Sequence, residues 1–128
     1  MYIGASVANL KKRAEILSQL RQFFRERGFT EVQTPVLCRD SIIDRHLDPI
    51  EVDMQLPGHA PATWYLQTSP EQSMKRMLCS GIGSIFQVGP VFRAGEQGKY
   101  HNPEFTMAEW YDVGAGLNDG LELLDKLL

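Results

Sequence analysis

Between Val7 and Arg27 the apolar residues Leu10, Ala14, Leu17, Leu20 and Phe24 recur every three or four positions, with Arg21 sharing the place of Leu20. That period belongs to a helix with one apolar face. Lys11, Arg13, Glu15, Gln19 and Gln22 fill much of the remaining surface. Ser6 or Asn9 can cap its start, and Gly28 stands where a left-handed stop is wanted.

The period then shortens to two. "FTEVQTP" predicts a short strand, with Pro35 marking an edge or a strand end. His46 to Met54 alternates as a second strand, "LPGHAPA" reads as a turn-rich loop, and Thr63 to Ser69 reads as a third strand. "SPEQSMKRMLCSG" is punctuated as a helix: Ser69 as N-cap, Pro70 at the first helical position, Glu71 in the first turn and Gly81 beyond the end. Met74, Met77 and Leu78 face inward on this reading.

"SIFQVGPVFR" and "PEFTMAEWYDV" predict two strands of a long hairpin, joined by "AGEQGKYHN" with Gly95 and Gly98. In the return strand Glu104, Thr106, Ala108 and Trp110 share one face, and Phe105, Met107, Glu109 and Tyr111 the other. "LNDGLELLDKLL" begins an amphipathic helix. The fold class expected is α+β, an antiparallel sheet with flanking helices.

The chain has 128 residues, 43% of them hydrophobic and 23% charged, the balance of a globular protein rather than a disordered one. Its length suits one domain. No apolar run approaches the roughly 18 residues of a spanning helix. No signal-peptide core follows Lys11, Lys12 and Arg13, so a cytoplasmic location is expected. A net charge of −3 gives no electrostatic case for a nucleic-acid surface. Cys38 and Cys79 lack CxxC spacing and read as free thiols, and His46, His59 and His101 form no ligand cluster with them, so no metal site is assigned.

Two stretches carry a resemblance. "RGFTEVQTP" resembles motif 1, and "FRAGEQGKYHNPEFTMAEWY" resembles motif 2, of the class II aminoacyl-tRNA synthetase catalytic domain. The H-N-P-E-F-T-M run, the E-x-Y after it and "TSPEQSMKRML" point to the lysyl branch. Within that branch the chain is similar to the short paralogues that attach (R)-β-lysine to elongation factor P. Met1 stands directly before the motif 1 helix, where a tRNA-charging enzyme would have an anticodon-binding domain. On this reading the chain is a partial catalytic domain, with motif 1 at about 7–36, motif 2 at about 85–113, and motif 3 expected beyond Leu128.

The resemblance implies an ATP-dependent ligase that activates lysine or β-lysine as an adenylate. Adenylation brings a carboxylate against a phosphate, and a guanidinium can hold both anions with paired hydrogen bonds. It assigns that catalytic role to Arg93. It assigns the ATP surface to Arg93, Ala94, Gly95, Glu96, His101, Asn102 and Phe105, with adenine stacking on Phe105. It gives the diamine substrate Ser69, Pro70, Glu71, Glu109 and Tyr111. On the residues alone Arg93 is a strand-end arginine, Phe105 a core ring, Glu71 a complement to its helix dipole and His101 a loop histidine. Trp64 and Trp110 read as packing residues, and Lys99 as a solvated loop lysine.

Synthetases that charge tRNA carry F-R-x-E, but here Gly95 takes the glutamate's place and Glu96 follows one position later. Adenine recognition therefore falls either to Glu96 or to the backbone of Ala94 and Gly95. The resemblance places the Mg²⁺ carboxylates and a second ATP arginine beyond Leu128, so this chain alone is expected to be weakly active or inactive. Elongation factor P is the expected acceptor, tRNA binding is not expected, and a homodimer through the long helix and the strand ending at Pro35 is. Two further readings stand beside this one: a fragment of a true lysyl-tRNA synthetase, and a non-catalytic binding or dimerisation module.

Overall fold

Ser6 accepts a hydrogen bond from the Asn9 backbone N–H at 3.2 Å and so starts α1, which runs Val7–Glu26. Gly28 ends it with φ at 81°, a conformation that costs glycine little. The computed structural model describes residues 4–128.

After α1 come β1 (Thr30–Glu31), β2 (Leu37–Cys38), β3 (Glu51–Met54) and β4 (Ala62–Leu66). α2 (Glu71–Cys79), β5 (Ile85–Phe92), β6 (Glu104–Tyr111) and α3 (Leu117–Leu127) complete the described elements. One sheet has the order β1-β5-β6 and the other β2-β4-β3. β1 pairs with β5 in parallel, whereas the other strand pairs are antiparallel. The class is α+β, as the sequence predicts.

The core lies between α1 and the first sheet. The Phe24 ring stacks on Phe86 at 4.8 Å, and Phe29, Phe23 and Trp110 each stand 5.3 Å from it. Leu123 of α3 closes the cluster. Phe24 and Phe86 are fully buried, and each such ring contributes about 2–3 kcal/mol by leaving water. Leu10 and Ala14 depart from the predicted apolar face: both are exposed, while Leu17 and Leu20 are half-buried. α1 packs on this core through its second half, from Leu20 to Phe24.

Two predicted strands are shorter than expected. His46 to Met54 is a strand only over Glu51–Met54. Pro49 has no N–H to give a ladder, and the Asp48 carbonyl instead accepts from the Ala94 N–H at 2.7 Å. Thr63 to Ser69 is a strand only over Ala62–Leu66. Gln67 leaves that ladder to join the sheets: its N–H donates to the Val36 carbonyl, its carbonyl accepts from Phe92 N–H, and its Nε2 donates to the Pro90 carbonyl, each at 2.9 Å.

α2 also begins differently. Pro70 occupies the cap position rather than the first helical one. The Ser69 hydroxyl still accepts from the Glu71 N–H, at 3.1 Å. Met74 is fully buried, Met77 and Leu78 half-buried. Cys38 and Cys79 are free. Among the described residues no helix is long and apolar enough to cross a membrane.

Candidate active site

The β5–β6 hairpin sets the geometry. Its register pairs Ile85 with Tyr111, Gln87 with Glu109, Gly89 with Met107 and Val91 with Phe105. Directly opposite residues share a face, so Phe105, Glu109 and Tyr111 lie together on one side of the sheet. The opposite side faces α1: Trp110 meets Phe24, and Thr106 accepts from Arg13 Nη2 at 2.6 Å. The predicted alternation along β6 is thus the observed one.

Arg93 follows directly on β5. Its backbone N–H donates to the Pro103 carbonyl at 2.9 Å, which fixes the base of the hairpin loop. Its guanidinium stands 5.1 Å above the Phe105 ring. Nε donates to the Thr68 carbonyl at 3.4 Å, and Nη1 reaches Glu96 Oε1 at 3.5 Å. Both contacts are long, and Nη2 has no described partner. The side chain is 21% exposed, so it is held but reachable. Phe105 is half-buried, with Arg93 over its ring.

A second group lies further along the strand. The Tyr111 hydroxyl donates to Glu109 Oε1 at 2.8 Å. Burial first, then that hydrogen bond and the charge of Glu109, then the charge of Glu71, hold the Tyr111 phenol well above its ordinary 10.0. Glu71, in the first turn of α2, is therefore close enough for its charge to be felt at Tyr111. Glu71 pairs with Lys75 along its own helix. Glu109 has no Lys or Arg partner among the described residues; the hydroxyl of Tyr111 is what satisfies it. Ser69 is half-buried and Pro70 buried beside them.

The loop residues divide. Ala94 is tied to Asp48, Gly95 has φ at 78°, and Glu96 meets Arg93. His101 and Asn102 are exposed, and His101 is engaged through its backbone with Gly98, N–H to carbonyl at 3.0 Å. No described side-chain contact joins either to Arg93. The structure thus gathers Arg93, Glu96 and Phe105 at one end of the sheet face and Glu71, Glu109 and Tyr111 at the other, and leaves His101 and Asn102 apart.

On this same face, where Gln87 stands opposite Glu109, lies a buried polar network that the sequence did not signal. Thr34 N–H donates to Gln87 Oε1 at 2.8 Å, and Thr34 Oγ1 donates to Gln67 Oε1 at 3.1 Å. All three residues are under 8% exposed. Glutamines inside strands with mixed patterns read as solvent-facing. Only the pairing of β1 with β5 and the crossing of Gln67 bring their amides together.

A mixed sheet whose helix-backed hairpin presents an arginine, a half-buried aromatic ring and two carboxylates is the layout of a class II synthetase catalytic half. Residues 4–128 match the family of class II tRNA synthetases (D, K and N), and the chain belongs to that family. It is 46% identical over 130 residues to the elongation factor P–(R)-beta-lysine ligase of Yersinia pestis (strain Pestoides F), covering 98% of this chain and 40% of the relative. The ligase of the same description from Yersinia pseudotuberculosis serotype O:1b (strain IP 31758) gives the same identity and coverage. The chain therefore spans about two fifths of the length of these relatives.

Proposed function

We propose that this chain carries the nucleotide- and amine-facing part of an ATP-dependent ligase. The ligase activates lysine or (R)-β-lysine as an adenylate and passes the acyl group to an amine of elongation factor P. The observation that carries this reading is the shared sheet face of Arg93, Phe105, Glu109 and Tyr111. The description of the 46% identical relatives supports the choice of acceptor over tRNA.

In this mechanism the guanidinium of Arg93 turns its unpaired Nη2 edge to the two anions that must meet, the amino acid carboxylate and the α-phosphate of ATP. The carboxylate oxygen attacks phosphorus, the bond to the bridging oxygen breaks, and pyrophosphate leaves. Adenine stacks on the Phe105 ring, which Arg93 uncovers as it swings to the phosphate. Glu96 or the backbone at Ala94 and Gly95 receives the adenine amino group, and His101 and Asn102 close over the phosphates from the loop. Glu109, aligned by Tyr111, accepts the far ammonium of the substrate. Glu71 exchanges Lys75 for the nearer one, with Ser69 and Pro70 shaping the wall.

ATP arrives with Mg²⁺. Among the described residues no group of three His, Cys, Asp or Glu is placed to bind a metal. Val7, Leu10 and Ile16 on α1 are 68%, 44% and 52% exposed. We assign them, with the segment to Pro35, to a homodimer interface. The working compartment is the cytoplasm.

The test is ATP–pyrophosphate exchange by the product of the full open reading frame containing this chain. Exchange should require lysine or (R)-β-lysine and should fall at least about 100-fold in Arg93→Ala. Label should then move to elongation factor P. Charging of tRNA in its place, or no exchange with either isomer, overturns the proposal.

A further inference from the structure

β1 covers its edge of β5 only as far as Phe86. Beyond that point, among the described residues, no strand pairs with that edge. Gln67 takes the place of one. Its carbonyl accepts from the Phe92 N–H and its Nε2 donates to the Pro90 carbonyl, each at 2.9 Å. Its Oε1 accepts from the Thr34 hydroxyl at 3.1 Å, and its own N–H donates to the Val36 carbonyl at 2.9 Å. Backbone and side chain are thus paired throughout, on a residue 7% exposed. A buried glutamine tied at both ends of its amide has one place to be.

The consequence falls on the next residue. The Thr68 carbonyl accepts from Arg93 Nε at 3.4 Å. That bond has little slack, because at about 3.6 Å there would be none. The Thr68 side chain adds no hydrogen bond of its own, since its Oγ1 has no partner among the described residues. The carbonyl therefore stands where Gln67 leaves it. The other holds on the guanidinium are Glu96 at 3.5 Å and the Phe105 ring at 5.1 Å. In the mechanism proposed above both are given up to adenine. The Thr68 carbonyl is the hold that lasts, the fixed point from which Arg93 swings to the phosphate.

We infer that Gln67 is a positioning residue for adenylation: its side-chain amide, clamped between Thr34 and Pro90, holds the Thr68 carbonyl against Arg93 Nε and so aims the guanidinium. The role in adenylation rests on the ligase reading of Arg93. The hold on Arg93 does not, and it can be measured separately.

The test uses the product of the full open reading frame containing this chain. In ATP–pyrophosphate exchange Gln67→Met, which keeps the length and removes both amide groups, should lower kcat about tenfold or more and leave the KM for ATP within about twofold. In an Arg93→Lys background the same substitution should cost less than about twofold, because the group it aims is gone. A loss through general loosening of the fold would be the same in both backgrounds. In NMR spectra of protein labelled with heavy-nitrogen arginine, the Arg93 Nε–H resonance, assigned by its absence in Arg93→Lys, should move in Gln67→Met toward that of a solvated arginine. Should Gln67→Met not fold, Thr34→Val removes only the donor to Gln67 Oε1 and should lower kcat about threefold with the same dependence on Arg93. An unmoved resonance, an unchanged kcat, or equal losses with and without Arg93 overturns the inference. Wild type without exchange overturns the ligase reading alone, and the resonance then decides whether Gln67 aims Arg93.

Discussion

The Tyr111 hydroxyl donates to Glu109 Oε1 at 2.8 Å, between residues two apart on the same face of β6. A carboxylate that accepts from a neighbouring phenol resists the loss of that phenol's proton. The folded pKa of Tyr111 lies above the unfolded one, so the contribution of this contact is complete below about pH 10 and declines above it. Wild type should exceed Tyr111→Phe in stability by about 1 kcal/mol at neutral pH. Urea midpoints at about pH 8 and about pH 11 should show that margin shrinking as the unfolded phenol ionises.

Glu109→Gln keeps an acceptor for Tyr111 and removes the negative charge. On the ligase function proposed above, the KM of the full-length protein for its diamine substrate should rise about tenfold to 100-fold, since a charge-assisted contact is worth roughly 1.5–3 kcal/mol. The KM for ATP should stay put. Pyrophosphate exchange at varied amine and varied ATP separates the two.

The Thr34–Gln67–Gln87 network predicts an order of damage. Gln87→Leu strands the buried N–H of Thr34 and should cost about 2–3 kcal/mol. Thr34→Val keeps that N–H paired but leaves the buried Gln67 Oε1 without its 3.1 Å donor; an under-satisfied carbonyl oxygen is better tolerated than an orphaned N–H, so the cost should be smaller, about 1–2 kcal/mol. Equal losses in denaturant titrations would contradict the geometry.

Phe24 touches four other aromatic rings and is fully buried. Phe24→Ala should cost about 3–5 kcal/mol, a large share of the stability of a domain this size. Loss of the cooperative urea transition, or a midpoint far below wild type, is the expected result.

Much of this arrangement is legible in the sequence. The two-residue alternation from Glu104 to Tyr111 separates Thr106 and Trp110, which meet α1, from Phe105, Glu109 and Tyr111. Ser6 and Gly28 bound α1 where local chemistry places them. What stays hidden depends on partners distant in the chain. Nothing local in "EVQTP" announces a parallel neighbour 55 residues on, or that Thr34 will meet Gln87. The strand expected from His46 fails because Pro49 cannot donate and the Asp48 carbonyl finds Ala94 instead. The Arg93–Phe105 pairing of the candidate site follows from strand order, whereas its Thr68 and Glu96 contacts depend on where two loops settle.

Thr30 pairs with Ile85 and Glu31 with Phe86. On the ribosome the first strand is finished some 55 residues before its neighbour is made, and at roughly 5–20 residues per second that is a wait of about 3–11 s. Phe24 and Phe29 spend the interval without the ring of Phe86 to cover them. Until the hairpin emerges, that uncovered aromatic surface is the part of the nascent chain most prone to aggregate. Slowing translation between the codons for Glu31 and Ile85 should lower soluble yield more than slowing it after Tyr111.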